Sequence, residues 1–175
     1  MKLGTVQKKI LFDFLPHIPG RIAKKIYSKY IGHSEFEIRR KVYFDSIEKC
    51  EIGKRVFINR GCKFYAGYAE NDDKMIFLGK NVWIGMNTMF ICASHDIGNS
   101  KQRAGKIVYK PIKIEEGCWI WGGVIILPGV TIERGCVIGA GSIVTKNCEA
   151  NGVYVGNPAK RVKNLQWINL GRNKK

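Results

Sequence analysis

The sequence predicts an all-β solenoid, a prism of short parallel strands stacked coil upon coil, and two observations predict it. Aliphatic or aromatic residues recur at every sixth position in one register, and the fourth position after each is small or β-branched. Both positions are therefore expected to face inward. The apolar residues are Leu78, Ile84, Phe90, Ile114, Ile120, Ile126, Ile132, Ile138 and Val144, and the small ones are Val82, Thr88, Ser94, Cys118, Val124, Val130, Cys136, Ser142 and Cys148.

The third position after each apolar residue predicts a tight turn in every repeat. Apart from the repeat that carries Ala93, this position is always Asn or Gly, the residues that best tolerate a positive φ. A strand and a turn in every repeat make a prism with three faces in about three repeats, so each coil stacks on its neighbours. The Asn and Gly turn positions are Asn81, Asn87, Gly117, Gly123, Gly129, Gly135, Gly141 and Asn147.

Two interruptions divide the repeat. An earlier register extends the coils back to about residue 46, and a slip within residues 65–73 separates it from the later one. The second interruption, residues 96–113, abandons the repeat and predicts an extruded loop. The coiled domain is therefore expected to span residues 42–157. The earlier register consists of Ile52, Ile58 and Phe64.

The two ends of the chain do not repeat. Residues 1–41 predict an N-terminal helical segment, because residues 6–31 hold two runs of basic and apolar side chains at helical spacing, separated by prolines. This basic amphipathic segment can cap the first coil, or it can contact an anionic membrane. Residues 158–175 form a short basic C-terminal tail.

The formal net charge of +16 belongs mainly to the ends of the chain. Residues 1–63 hold 15 basic and 6 acidic side chains, residues 64–159 hold 9 and 8, and residues 160–175 hold 6 and none. A nucleic-acid stripe along the main body is therefore not expected. The sequence shows no cleavable apolar signal and no apolar run long enough to span a bilayer, so we expect a cytoplasmic protein, with the inner membrane face as the alternative.

Five of the six cysteines occupy the small inward position of the repeat, and only Cys92 falls elsewhere. A thiol at such a position behaves as a compact hydrophobe, so the cysteines are expected to be reduced and structural. The five inward cysteines are Cys50, Cys62, Cys118, Cys136 and Cys148.

Three stretches of the coils carry a family resemblance. They are Cys-Trp-Ile-Trp-Gly-Gly-Val at 118–124, Val-Ile-Gly-Ala-Gly-Ser-Ile-Val-Thr-Lys at 137–146, and Val-Gly-Asn-Pro-Ala-Lys at 155–160. As an ordered set they resemble the hexapeptide-repeat acetyltransferases, above all the sugar O-acetyltransferases related to maltose and galactoside acetyltransferase and to enzymes that decorate exopolysaccharide. The resemblance covers about residues 50–165. It implies a left-handed parallel β-helix and acetyl-CoA as co-substrate.

The resemblance also implies a catalytic base. Family members carry a histidine at the end of a coil, just before an extruded loop, and His95 stands at that place. A lone histidine is ordinarily a surface residue, but the interruption begins beside it and imidazole titrates near neutral pH. A three-His zinc site, as in the γ-class carbonic anhydrases, is not expected, because His17 and His33 precede the coils. No metal is therefore predicted.

The cofactor-binding residues follow from the resemblance alone. Four positions match segments whose backbone lines the pantetheine groove, others match places where polar or basic side chains meet the phosphates of coenzyme A, and one tryptophan matches a position near the groove. Trp121 departs from the family's usual Gly. The expected groove residues are Gly122, Gly123, Ala140, Ser142 and Trp119, and the expected phosphate contacts are Thr145, Lys146, Lys160, Arg161 and Lys163.

The saccharide acceptor is less well defined. Family sugar enzymes often carry Asn after Phe-Tyr-Ala, whereas here Gly67 follows Tyr65 and Ala66. Tyr65, Asn71 and Asp72 are candidate acceptor contacts, although each is equally compatible with a solvated turn.

Two other functions stay open at this point. One is N-acetylation of a nucleotide-linked amino sugar, and the other is a non-catalytic β-helix that acts as a binding module. The family pattern places His95 of one chain opposite the cofactor groove of the next, so it implies a homotrimer with active sites at the junctions.

Overall fold

The computed structural model describes residues 14–18, 20–67 and 73–166. It contains one α-helix, α1 (Gly20–Ile31), two 3₁₀ turns (Leu15–His17 and Ile47–Lys49) and eighteen short strands in these residues. The strands are β1 (Phe36–Ile38), β2 (Tyr43–Phe44), β3 (Cys50–Ile52), β4 (Val56–Ile58), β5 (Lys63–Tyr65), β6 (Ile76–Leu78), β7 (Trp83–Ile84), β8 (Met89–Ile91), β9 (Ala93–Ile97), β10 (Ala104–Tyr109), β11 (Ile112–Ile114), β12 (Trp119–Ile120), β13 (Ile125–Ile126), β14 (Thr131–Ile132), β15 (Val137–Ile138), β16 (Ile143–Val144), β17 (Gly152–Val155) and β18 (Lys160–Asn164).

Successive strands enter three sheets in rotation. Sheet A has the order β1-β4-β7-β12-β15-β17-β18, sheet B the order β2-β5-β8-β13-β16, and sheet C the order β3-β6-β11-β14. Pairing within the coils is parallel, and in the uninterrupted part each strand pairs with the one 18 residues on, as Trp119 does with Val137. Three six-residue repeats therefore complete one turn of the chain. The first strand, β1, lies within residues 1–41, where the sequence predicts a helical segment.

Positive φ angles close the turns. Seven of the eight Asn and Gly turn positions have φ between 58° and 85°, which confirms the role predicted for them. Asn147 is the exception, because its φ is not positive and its side-chain Oδ1 instead accepts a hydrogen bond from the N–H of Thr131 at 2.9 Å. The polar side chain therefore ties this turn to the preceding coil without the left-handed conformation.

The core is a column of inward side chains from all three sheets. In sheet B the rings of Phe44, Phe64 and Phe90 stack, with centroids 4.5 and 4.6 Å apart and nearly parallel planes. The column continues along the same sheet register through Ile126 and Val144, which are also buried. Side chains at equivalent positions of successive coils therefore stack on one another inside the prism.

Phe64 is the central ring of this stack, so its removal is expected to be costly. Phe64→Ala should lower the free energy of unfolding by about 3–5 kcal/mol, because the cavity opens between two aromatic rings that cannot both collapse into it. Denaturant unfolding followed by circular dichroism measures the loss. Lys63→Ala, at the exposed neighbouring position, is the matched control and should change stability by less than about 0.5 kcal/mol. A loss below about 1 kcal/mol for Phe64→Ala would contradict the packing argument.

All six cysteines are buried and unpaired, which confirms the inward positions predicted for five of them. Cys92, which falls outside the repeat register, is buried as well. Burial raises the pKa of Cys118 and of Cys92 to about 12, so both thiols are protonated at neutral pH. They act as core side chains.

The long interruption of the repeat forms a β-hairpin. Strands β9 and β10 pair antiparallel, and β11 then rejoins sheet C, where Ile112 pairs with Ile76. The hairpin therefore begins at Ala93, before the interruption predicted for residues 96–113, and the coil resumes at Ile112. His95 thus lies within a strand of the hairpin.

Helix α1 covers the first coil. Ala23 and Tyr27, one helical turn apart, are buried, and the Tyr27 ring lies edge-on to Phe44 at 5.6 Å. Most of the first run of the predicted basic segment, residues 6–13, lies outside the described residues. None of the helices in the described part of the chain has the length and apolar character needed to cross a membrane.

Candidate active site

His95 projects from the hairpin that leaves sheet B. It lies in β9, opposite Ile107 of β10, and its side chain is exposed. Strand β9 follows β8 of sheet B, and the coil then continues into sheet C. We call the position between sheets B and C the B–C corner, and it also includes Thr145 and Lys146 after β16.

One hydrogen bond determines which nitrogen of His95 can act as a base. Nδ1 lies 2.8 Å from the carbonyl oxygen of Gly105 in the paired strand. Because a carbonyl oxygen only accepts, Nδ1 carries the hydrogen and donates it. In the neutral ring this leaves the lone pair on Nε2. The hairpin therefore both orients the imidazole and selects its tautomer.

Two tyrosines lie at the same corner as His95. Tyr65, a predicted acceptor contact, ends β5 and pairs with Ile91 of β8, and its ring lies 5.9 Å from that of Tyr43. Tyr109 pairs with Ala93 at the base of the hairpin. Its ring covers Gly67, where a Cβ would overlap it. The tyrosine therefore occupies the space that a side chain at position 67 would fill. The other two candidates, Asn71 and Asp72, lie outside the described residues.

A half-buried carboxylate, that of Asp45, binds the backbone of residues 66 and 67, which follow Tyr65. The two carboxyl oxygens of Asp45 accept hydrogen bonds from the backbone N–H groups of Ala66 and Gly67 at 2.9 and 3.0 Å. Burial raises the pKa of Asp45, and these two donors oppose the rise only in part. Asp45 therefore holds the chain that follows Tyr65 in place.

The predicted groove residues line a different corner. Gly122 and Gly123 lie between β12 of sheet A and β13 of sheet B, and Ala140 and Gly141 occupy the same place one coil on. We call this the A–B corner. A Cβ placed on Gly141 would meet no atom within 4 Å, and one on Gly123 would meet only Gly141 backbone at 3.8 Å. A Cβ on Gly122 would instead lie 3.1 Å from the Met86 carbonyl oxygen, so the open strip of backbone centres on Gly123 and Gly141.

Aromatic rings border the strip on its sheet A side. Trp119 and Trp121 are 48% and 43% exposed, and their ring centroids lie 4.9 Å apart. Trp119 pairs with Trp83, which in turn pairs with Phe57, so an outward aromatic row crosses sheet A. Such a row leaves a large apolar face in solvent, which marks an interaction surface.

Two predicted cofactor residues already have partners within the chain. Ser142 is fully buried, and its Oγ accepts the N–H of Gly156 at 3.1 Å. Arg161 donates to the Glu149 carboxylate and the Ala150 carbonyl, both at 2.9 Å. These contacts secure the turn into β18. The remaining predicted phosphate contacts, Thr145, Lys146, Lys160 and Lys163, are exposed.

One chain does not bring the two parts of the predicted site to one corner. His95 and Lys146 lie at the B–C corner, whereas Gly123 and Ala140 lie at the A–B corner, with sheet B between them.

No group of three or more potential metal ligands occurs in the described ranges 14–18, 20–67 and 73–166.

Sequence reasoning missed two residues of the site. Gly105 acts through its backbone carbonyl, for which the sequence carries no signal. Tyr109 lies in an interruption where the repeat register cannot assign an orientation. Its partner Gly67 offered the one available hint, because a Gly after Phe-Tyr-Ala implies that something else occupies the space.

The three sheets wound by six-residue repeats match what known hexapeptide-repeat proteins show in sequence and structure. The bacterial transferase hexapeptide family (six repeats) matches residues 111–146. The predicted resemblance to the hexapeptide-repeat acetyltransferases is confirmed by relatives in both sequence and structure.

Among these relatives, a galactoside O-acetyltransferase of Lactococcus lactis is 36% identical over 106 residues, which are 61% of this chain and 51% of the relative. A maltose O-acetyltransferase structure from Clostridium difficile has a TM-score of 0.76 at 29% identity, with 92% and 88% of the two chains covered. A hexapeptide-repeat acetyltransferase from Vibrio cholerae, complexed with acetyl-CoA, has a TM-score of 0.77 at 25% identity, with 90% and 87% covered.

The chain spans 51–61% of the length of the curated relatives it matches.

Proposed function

We propose that the protein is an acetyltransferase that moves an acetyl group from acetyl-CoA to a hydroxyl of a saccharide, with His95 as general base. The observation that carries the proposal is the hydrogen bond from Nδ1 of His95 to the Gly105 carbonyl. It leaves Nε2 as a free base on an exposed ring beside a polar, aromatic corner. The relatives named for acetyl-CoA and maltose support the choice of donor and acceptor.

The chemistry needs few groups from the protein. Nε2 of His95 accepts the proton of the acceptor hydroxyl as its oxygen attacks. The imidazolium that forms stays bonded through Nδ1–H to the Gly105 carbonyl, whose dipole stabilises the positive charge. It can then return the proton to the leaving sulfur. Acetyl-CoA, when bound, supplies the thioester carbonyl that is attacked, so no covalent enzyme intermediate is required.

Three groups of residues would hold the donor. The open backbone at Gly123 and Gly141, with the exposed Ala140 beside it, would carry the pantetheine chain, and Trp119 and Trp121 would border it. Exposed Lys160 and Lys163 offer cations for phosphates, as does Lys146 across sheet B. Arg161 and Ser142 would contribute by holding the turn rather than by direct contact.

The acceptor would lie near Tyr65 and Tyr109 at the B–C corner. Their hydroxyl groups can donate to and accept from sugar hydroxyls, and their rings offer apolar surface. The Tyr109 ring fills the space above Gly67 that a side chain at position 67 would need. These two tyrosines should therefore decide which saccharide fits.

We further propose a left-handed β-helix assembled as a homotrimer. Parallel pairing at an 18-residue interval and the similarity to hexapeptide-repeat acetyltransferases support the winding. The separation of His95 from the glycine strip supports the trimer, because a junction between two copies can bring one chain's B–C corner to its neighbour's A–B corner. The exposed aromatic row on sheet A would be covered there.

Thiol release from acetyl-CoA tests the function. The full chain should release coenzyme A in the presence of maltose, galactosides or oligosaccharides, and the product should carry an alkali-labile acetyl ester. Amino sugars test the N-acetylation alternative, since the amide product resists alkali. Absence of turnover with every sugar, together with no binding of coenzyme A in calorimetry, would instead identify a non-catalytic binding module.

A further inference from the structure

The outward face of α1 is strongly basic. Because Ala23 and Tyr27 face the coils, residues on the opposite side of the helix face solvent. With the turn after β1, these residues form a surface that we call the basic end. Its cations are Arg21, Lys24, Lys25 and Lys29 of the helix and Arg39, Arg40 and Lys41 of the turn, and all seven are exposed.

A cleft joins the two parts of the basic end. Its volume is about 510 Å³, and its lining includes Arg21 and Lys24 from the helix and Arg39 and Arg40 from the turn. Glu37 is the one acid in the lining, and it pairs with Arg39 at 2.8 Å. The cleft therefore keeps a net positive charge and has room for a phosphate group.

Two large apolar side chains in the same N-terminal part of the chain are exposed, and one of them lies among the cations of the helix. Phe14, immediately before the 3₁₀ turn Leu15–His17, is 64% exposed, and Ile22, between Arg21 and Lys24, is 55% exposed. Large apolar side chains in water do not stabilise a folded protein. Apolar side chains flanked by Lys and Arg are typical of segments that lie in a membrane interface. Cations together with exposed apolar side chains distinguish the basic end from a binding site for a small free anion, which would need the cations alone.

We propose that the basic end binds the surface of a membrane that contains anionic lipid. Headgroup phosphates would occupy the cleft between Arg21 and Arg40, and Phe14 and Ile22 would enter the headgroup region. The proposal does not depend on acetyl transfer. If both hold, the active site would work next to the bilayer, on acceptors held at its surface.

Vesicle sedimentation tests this surface with the full chain. Phosphatidylcholine vesicles that contain phosphatidylserine should bind the protein, and vesicles of pure phosphatidylcholine should not. Each cation near an anionic bilayer contributes about fivefold in affinity, so Arg21→Gln/Lys24→Gln/Lys25→Gln should weaken binding by about 100-fold. The control Arg60→Gln/Lys63→Gln/Lys101→Gln removes the same charge from exposed positions elsewhere and should bind within about threefold of the unaltered protein.

A second variant separates insertion from simple charge attraction. Phe14→Ser/Ile22→Ser keeps every cation, so it should bind at low salt but release at a salt concentration that the unaltered chain withstands. Circular dichroism checks that both variants fold. Equal binding to both vesicle types, no loss in the triple-glutamine variant, or displacement by millimolar inorganic phosphate would overturn the proposal. Because sedimentation needs no turnover, a failure here is distinguishable from a failure of the acetyltransferase assay.

Discussion

Replacing His95 with alanine is expected to lower kcat for acetyl transfer by about 10²–10⁴-fold while the coils stay folded. The residue is exposed on a hairpin, so its removal leaves no cavity in the core. What it removes is the Nε2 lone pair, which the bond from Nδ1 to Gly105 directs outward. Steady-state thiol release measures the loss. Coenzyme A affinity, measured by calorimetry, should change little, because the proposed base would act on the acceptor.

Asp96→Ala is the matched control, since Asp96 is the next exposed residue of the same strand. It should keep kcat within about threefold of the unaltered protein, given that surface changes seldom perturb a folded site. A His95→Ala enzyme that also stays within about threefold would exclude His95 as the base. Equal losses in both variants would instead point to a general distortion of the hairpin.

The coils were accessible from the sequence because their physics is periodic. An apolar residue at every sixth position and a left-handed turn between them are local requirements, and Ile120, Ile126 and Gly123 satisfy them in the same way in successive repeats. Asn147 marks the limit of such reasoning. Its residue type suits a positive φ, but a side-chain hydrogen bond to Thr131 supports another conformation there.

The site was less accessible because its contacts are not periodic. The hydrogen bond that orients His95 comes from a backbone carbonyl on the returning strand, so it depends on the register of the β9–β10 pair. The contacts that secure Ser142 and Arg161 likewise depend on where the chain turns after Val155. Family resemblance predicts that these two residues contact the cofactor, whereas the structure shows that Ser142 binds Gly156 and Arg161 binds Glu149.

Mixing two inactive variants should restore activity, because the two halves of the proposed site lie at different corners of each chain. His95→Ala removes the proposed base at the B–C corner, and Ala140→Trp places a bulky ring on the exposed strip at the A–B corner without touching the core. Lys146 would be a poor second position, since it lies at the same corner as His95. Each variant alone should be nearly inactive.

In equally mixed trimers, a junction is complete only when one variant supplies an intact His95 and its neighbour supplies an unblocked strip. Random assembly makes about a quarter of all junctions complete. Doubly tagged hybrids exclude the two inactive homotrimers and have about one complete junction in three, so they should recover about a third of the unaltered activity. Mixing His95→Ala chains with chains that carry both substitutions is the control, because no intact base is then present. Hybrids that stay inactive would show that each chain holds a complete site. A fully active protein that sediments as a monomer would likewise exclude the shared junction.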